Sequence, residues 1–208
     1  MVGKTPILCE NFAPSFDWHG SAKKTNDSEV LIVWNSNVMA SKGFFDVIEA
    51  LKVARKSAVN LSVVVLGRPL SDNEMSAEEC RAELGQLSKN SWIRYVGPVS
   101  AEDALNYTAM ADLIVFPSRY ASECQPLAIV QAMCAGCSII LSDTPALRAT
   151  IDDYPAVFLT NPTVDDLTLS ILAVTRLGCP ERKSEAAASA RDRFSVERFD
   201  KVMADVLR

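Results

Sequence analysis

The sequence predicts a doubly wound α/β fold, a Rossmann-like parallel sheet with helices on both faces. Three observations predict it. Short apolar runs rich in β-branched residues recur along the chain, stretches with helical periodicity fill the gaps between them, and helix-start signatures mark where several gaps turn helical. Apolar runs without polar alternation suit strands buried on both faces, which parallel sheets require. Strand and helix in alternation, joined by right-handed crossovers, give a doubly wound sheet.

The strand runs are Val30–Trp34, Leu61–Leu66, Ile93–Val96, Leu113–Phe116, Ser138–Leu141 and Ala156–Leu159. After the first run, Phe44, Ile48 and Leu51 share one helical face; after the fourth, Leu127, Val130 and Cys134 do the same. Ser76 with Glu79, Ser100 with Asp103 and Thr163 with Asp166 have the spacing of a capping box or its Asp variant. At the far end Val196, Phe199, Val202, Met203 and Val206 form an apolar stripe on a last helix. It packs either on its own sheet or against a second body.

Bulk composition sets the outer limits. With 208 residues, 49% hydrophobic against 23% charged, the chain can bury one sizeable core. We divide it into a leader, residues 1–20, and one domain, residues 21–208. A net charge of −5 with mixed signs gives no basic stripe for nucleic acid or an anionic membrane surface. The N-terminus has no apolar core behind its lysine and no run reaches a membrane span, so a cytoplasmic protein is expected. Six irregularly spaced cysteines read as reduced, buried thiols, and the Cys134–Cys137 pair, at a helix-to-strand junction, as packing. His19, the only histidine, reads as an exposed leader residue, which argues against histidine-based catalysis.

Ligands of doubly wound sheets bind beyond the carboxyl ends of the strands. Four loops stand there: Asn35 to Gly43, Gly67-Arg68-Pro69, Gly97-Pro98, and Pro117 to Gln125. The last runs into Glu123-Cys-Gln-Pro-Leu-Ala-Ile-Val-Gln131, where an acid precedes a helix whose first turn offers unpaired N–H groups and a positive dipole end. That is a seat for phosphate or diphosphate. No G-x-G-x-x-G follows the first strand and no G-x-x-x-x-G-K-[ST] occurs, which argues against a dinucleotide oxidoreductase and a P-loop kinase.

Taken in order, Val30–Leu51 with Lys42-Gly43, Leu61–Gly67, Tyr95-Val96-Gly97, Ala111–Ser118, Glu123–Gly136 and Ala190–Ser195 resemble the C-terminal, donor-binding half of a GT-B glycosyltransferase of the group 1, or family 4, type. The similarity runs over roughly residues 7 to 207, with Ile7–Asp17 resembling the linker strand that enters this half. The resemblance implies a nucleotide-sugar ligand such as a UDP- or GDP-sugar, retaining hexosyl transfer, no metal, and an acceptor-binding N-terminal half on the same or another chain. Any membrane contact would come through that other half.

It also implies site residues. Glu123 would bond donor-sugar hydroxyls and Lys42, beside Gly43, would neutralise the diphosphate; these are the expected catalytic pair. Backbone near Gln125, Pro126, Leu127 and Ala128 would meet sugar and diphosphate, with Ser118 alongside. Gly67, Arg68, Ile93, Arg94 and Gly97 fall near the nucleotide by loop position. Gln131 stands where the family has a ribose-binding acid, Asn37 where it has an arginine, and Ala149 where a further acid would fall. An amide must offer its nitrogen as a donor where a carboxylate would accept twice. These departures keep a second reading open, a degenerate, non-catalytic nucleotide-sugar-binding or assembly module. Read without the resemblance, Lys42 is also a solvated lysine opening a helix, Glu123 an acid at a helix dipole, Gln131 a polar helix residue and Asp143 a turn-former.

Overall fold

The computed structural model describes residues 9–18, 29–57, 59–176 and 184–206; Ile7, His19 and Cys179 lie outside them. Six parallel strands form one sheet: β1 (Val30–Asn35), β2 (Leu61–Leu66), β3 (Ile93–Gly97), β4 (Leu113–Phe116), β5 (Ser138–Ser142) and β6 (Val157–Leu159). Their spatial order is β3-β2-β1-β4-β5-β6, so the chain starts in the middle, winds outward one way, then returns to β1 and winds outward the other way. All six predicted runs match the strands to within one residue at each end, with Ala156 just outside β6.

Eight helices lie among the described residues: α1 (Phe44–Lys56), α2 (Ala77–Leu87), α3 (Ala101–Met110), α4 (Leu127–Ala135), α5 (Pro145–Ile151), α6 (Val164–Arg176), α7 (Ser184–Arg193) and α8 (Val196–Val206). They divide the core in two. On one face Phe44, Ile48 and Leu51 of α1, Leu84 and Leu87 of α2, and Leu167 and Ile171 of α6 pack on Ile32, Val63 and Val115. On the other, Leu105 of α3, Ile129 and Val130 of α4, Leu147 of α5 and Phe194 beyond α7 pack on Val33, Ile114 and Ile139. Both faces are apolar because both are covered, as the unbroken strand runs require.

The helix starts follow the sequence. Ser76 and Glu79 close a complete capping box. Ser100 accepts from the Asp103 amide, and Thr163 and Asp166 exchange reciprocal bonds. Two expectations are corrected. Val130 and Cys134 are buried but Leu127 is 50% exposed, because it occupies the first position of α4 at the rim of the sheet. Cys80, Cys134 and Cys137 are buried thiols, whereas Cys9 and Cys124 lie in exposed segments. Burial pushes the Cys134 thiol up to about 12, against the pull of Arg191, so it stays protonated and packs.

No residue of α8 is buried; its Phe199 meets Phe12 with ring centroids 4.7 Å apart, so its stripe faces the N-terminal segment. Among the described residues no helix is long and apolar enough to cross a membrane.

Glycines mark where loops come closest. Gly67 has φ +88°, and a Cβ there would sit 2.3 Å from the Ser36 carbonyl oxygen. Gly85, inside α2, has open space where its Cβ would be. Gly67→Ala is therefore expected to cost about 2–4 kcal/mol and Gly85→Ala to gain about 0.5–1 kcal/mol. Urea denaturation of the two variants measures both, and equal effects would contradict this packing.

Candidate functional site

The order of strands makes β1 and β4 neighbours from which the chain departs in opposite directions: α1 covers one face and α4 the other. This is the topological switch point, where loops diverge and leave a crevice. The β1–α1 loop and the β4–α4 loop bound it, and they carry the two residues expected to matter most.

Gly43 brings these loops into contact. Its φ of +77° is left-handed, and a Cβ there would lie 2.7 Å from both Cγ and O of Pro117. Only glycine allows this approach. Across the contact Lys42 Nζ lies 3.3 Å from Glu123 Oε2, with each side chain only 15% exposed. Lys42 also donates to Ser36 Oγ (3.2 Å), and Ser118 Oγ donates to Glu123 Oε2 (3.2 Å). The ammonium sits 5.7 Å from the ring centroids of Phe116 and Tyr120, within cation–π reach. Cation and acid are thus both held in place.

The surrounding clamp was not visible in the sequence. Arg119 pairs with Asp46 (2.7 Å) and Glu74 (2.6 Å), joining the β4–α4 loop to the first turn of α1 and to the β2–α2 loop. Glu74 first, then Asp46, hold its guanidinium pKa above the ordinary value. Ser41, directly before Lys42, is fixed through its backbone on two sides: its N–H donates to Asp72 Oδ2 (2.8 Å) and its carbonyl accepts from the Arg119 amide (2.8 Å). No local pattern announces partners 31 to 78 residues apart; an arginine in a loop otherwise poor in charge was the only signal.

The two helices at the switch point also differ from α2, α3, α5, α6 and α8. Side chains cap α2, α3, α5, α6 and α8, but α1 begins at Gly43 and α4 at Pro126 without a side-chain cap. The first N–H groups of Leu127 and Ala128 thus rely on a partner from outside their helix. Lys42 and two uncapped helix starts bring a cation and unpaired N–H donors to the crevice of a chain of net charge −5.

Other expected residues fall at varying distances from this centre. Gly67 and Gly97 meet at the carboxyl ends of β2 and β3, where the Gly67 amide donates to the Gly97 carbonyl (2.9 Å) and Tyr95 Oη donates to the Gly67 carbonyl (3.3 Å). Arg68 is exposed beside them, with Val38 and Pro69 bridging the two loops. Asn37 lies in the same place, its Oδ1 at 3.5 Å from the Arg68 amide. Arg94 pairs in register with Val64 in the body of the sheet, about three residues or 10 Å below the carboxyl edge, and Ile93 is buried lower still. The structure does not bring these two to the loop cluster.

Gln131 turns inward. Its Oε1 accepts from Asn35 Nδ2 (2.7 Å), which also reaches Thr108 Oγ1 (3.1 Å), so the amide ties α4 to the end of β1 and to α3. Gln125 is held by the N-terminal segment through its side chain and its carbonyl. Two clefts flank Arg119 on the α1 side: one of about 480 Å³ beside Ser41, Asp72 and Tyr120, the other of about 400 Å³ beside Ser142, Asp143, Thr144 and Asn161. Asp143 there is engaged by Arg148 in a two-pronged ion pair.

Comparison with known proteins gives the family and the fold. Residues 17–193 match the family model described as glycosyl transferases group 1. The fold resembles HepE of Anabaena, solved with UDP and glucose: TM-score 0.68, 18% identity, covering 86% of this chain and 48% of that one. It resembles sucrose-phosphate synthase of Thermosynechococcus elongatus at TM-score 0.68 and 20% identity, covering 88% and 46%. The C-terminal domain of the group 1 protein LpcC of Francisella tularensis aligns at TM-score 0.61 and 16% identity, covering 86% and 95%. The chain thus spans about half the length of the first two structures and nearly all of the third. No curated protein sequence matches it significantly.

The clamp makes a prediction about pH. Burial opposes ionisation of Asp72, but hydrogen bonds from Ser41, Glu74 and Met75 outweigh it and hold the carboxyl at about 2. A folded pKa below the unfolded one stabilises fully above about pH 4 and is lost as pH falls through about 2. Asp72→Asn should be less stable by roughly 1–3 kcal/mol at pH 7, the gap closing between about pH 4 and 2. Denaturation of both proteins across that range measures it; a gap that stays constant to pH 2 would contradict the assignment.

Proposed function

Because the chain belongs to the glycosyl transferases group 1 family, we propose that its switch-point crevice binds the diphosphate and sugar of a nucleotide-sugar donor. The observation that carries this reading is the Lys42–Glu123 pair between two uncapped helix starts. The ammonium and the amides of Leu127 and Ala128 offer positive charge and donors to a diphosphate, while Glu123 offers acceptors to sugar hydroxyls. In the free protein Glu123 partners Lys42, and a diphosphate arriving at the lysine would release a carboxylate oxygen for the sugar.

Transfer breaks the bond from the sugar's anomeric carbon to the diphosphate oxygen and leaves new negative charge on the diphosphate. Donors already aimed at that oxygen lower the barrier because they need no reorganisation. Lys42 and the helix starts supply this charge from the protein itself, so the reading needs no metal. Retention of configuration follows the family resemblance. HepE was solved with UDP and glucose, and UDP- and GDP-sugars are the donors we propose for this chain. The acceptor would be a glycan or a lipid-linked acceptor held by an acceptor-binding N-terminal half; the chain covers about half the length of the first structures it resembles. Transfer by the 208 residues alone is not expected.

One observation supports the alternative of a degenerate binding module. Gln131, in the ribose position of the family motif, spends its oxygen on Asn35. A glutamate there would keep that acceptor and regain a second one.

Calorimetric titration with UDP, GDP and ADP tests the proposal. Wild-type chain should bind at least one at micromolar to millimolar strength, and Lys42→Ala should weaken that binding about ten- to a hundredfold. A folded protein that binds none refutes it. A large gain from Gln131→Glu with Asn37→Arg would favour the degenerate module; little change would favour an adapted live site.

A further inference from the structure

The N-terminal segment holds a second network that nothing above employs. Asn11 N–H donates to Gln125 Oε1 (2.5 Å), and Asn11 Nδ2 donates to the Gln125 carbonyl (2.8 Å). Gln125 Nε2 donates to Glu10 Oε1 (3.2 Å). Both functional atoms of the Gln125 side chain and its carbonyl are therefore committed to residues more than 110 positions away. The segment is itself anchored. Arg193 grips both oxygens of Glu10 (2.5 and 3.2 Å) and donates to the carbonyls of Ala149 and Thr150, near the end of α5. The Ala13 amide donates to the Phe194 carbonyl (2.9 Å), and Phe12 packs on Phe199. Glu10 and Arg193 are both more than four-fifths shielded, so this pair is protected from the screening that weakens surface ion pairs.

We propose that Asn11 and Glu10 are positioning residues for the donor site, setting through Gln125 the direction in which the first amides of α4 point. The inference rests on the donor-site reading above. Gln125 immediately precedes Pro126, where α4 begins. The Asn11 bond to its carbonyl fixes the peptide plane between Gln125 and Pro126, and with it the start of the helix that carries the Leu127 and Ala128 N–H groups. A loop ordered before the ligand arrives spares the ligand the entropy of ordering it. Through Arg193 the same network joins this loop to α5 and α7, so a displacement of the N-terminal segment would be felt at the diphosphate seat.

A clasp that only stabilised the fold would raise Tm and leave affinity below Tm unchanged. Asn11→Ala, Asn11→Asp, Gln125→Ala and the Asn11→Ala/Gln125→Ala double variant of the 208-residue chain separate the two roles. Asn11→Asp keeps the shape and the main-chain bond but removes the donor to the Gln125 carbonyl. In the absence of ligand, amide hydrogen exchange over residues 119–127 should quicken in all four. With UDP, and GDP as a second probe, each single variant should bind about five- to tenfold more weakly well below its Tm. Asn11→Ala and Gln125→Ala remove different hydrogen bonds of the same clasp, so the double variant should bind more weakly than either single. Unchanged exchange or unchanged affinity would overturn the positioning role. If the variants alter exchange but the folded wild type binds neither nucleotide, the donor-site reading falls and the network is a clasp alone.

Discussion

The contact between Gly43 and Pro117 is the constraint on which the site depends. At the switch point the chain leaves β1 for one face of the sheet and β4 for the other, and the loops would ordinarily part. A residue without a Cβ, in a left-handed conformation, lets the β1–α1 loop close to within contact of the Pro117 backbone. Once it does, Lys42 and Glu123 have nowhere to go but toward each other. The Gly67 approach to Ser36 does the same work one strand over, fixing the far wall of the β1–α1 loop.

Around that contact the protein manages charge at short range. The chain is acidic overall, and Asp46, Asp72 and Glu74 all lie near the crevice, an unpromising setting for an anionic ligand. Each of these carboxylates is committed: Arg119 takes Asp46 and Glu74, and the Ser41, Glu74 and Met75 amides take Asp72. Their charge is spent on holding loops together, which leaves Lys42, its partner Glu123 and the starts of α1 and α4 to set the local potential. The same economy appears in Gln131, whose carbonyl holds Asn35 and thereby pins the start of the crevice from below.

What could be read in the sequence was whatever is encoded locally. The strands were legible because burial on both faces demands unbroken apolar runs, and the capping boxes because partner and cap stand three residues apart. Lys42, Glu123 and Ser118 were legible through the resemblance, and the fold brings all three within hydrogen-bonding or ion-pair distance. Leu127 misled because a helical stripe does not reveal where the helix meets the rim, and Arg94 because its distance from the carboxyl edge depends on strand register. Arg119 with Glu74, Asn35 with Gln131, and Glu10 with Arg193 were out of reach: each joins loops or helix ends 45 to 183 residues apart, and no periodicity records such a pairing.

On the proposed function, ligand phosphate sits between the β1–α1 loop and the start of α4. Residue-resolved NMR of the labelled chain during a UDP titration tests it most directly. The largest amide shifts are expected at Lys42, Gly43, Leu127 and Ala128, on the two loops at once. Shifts confined to the cleft at Ser142, Asp143 and Asn161, with Lys42 and Leu127 undisturbed at saturation, would contradict it.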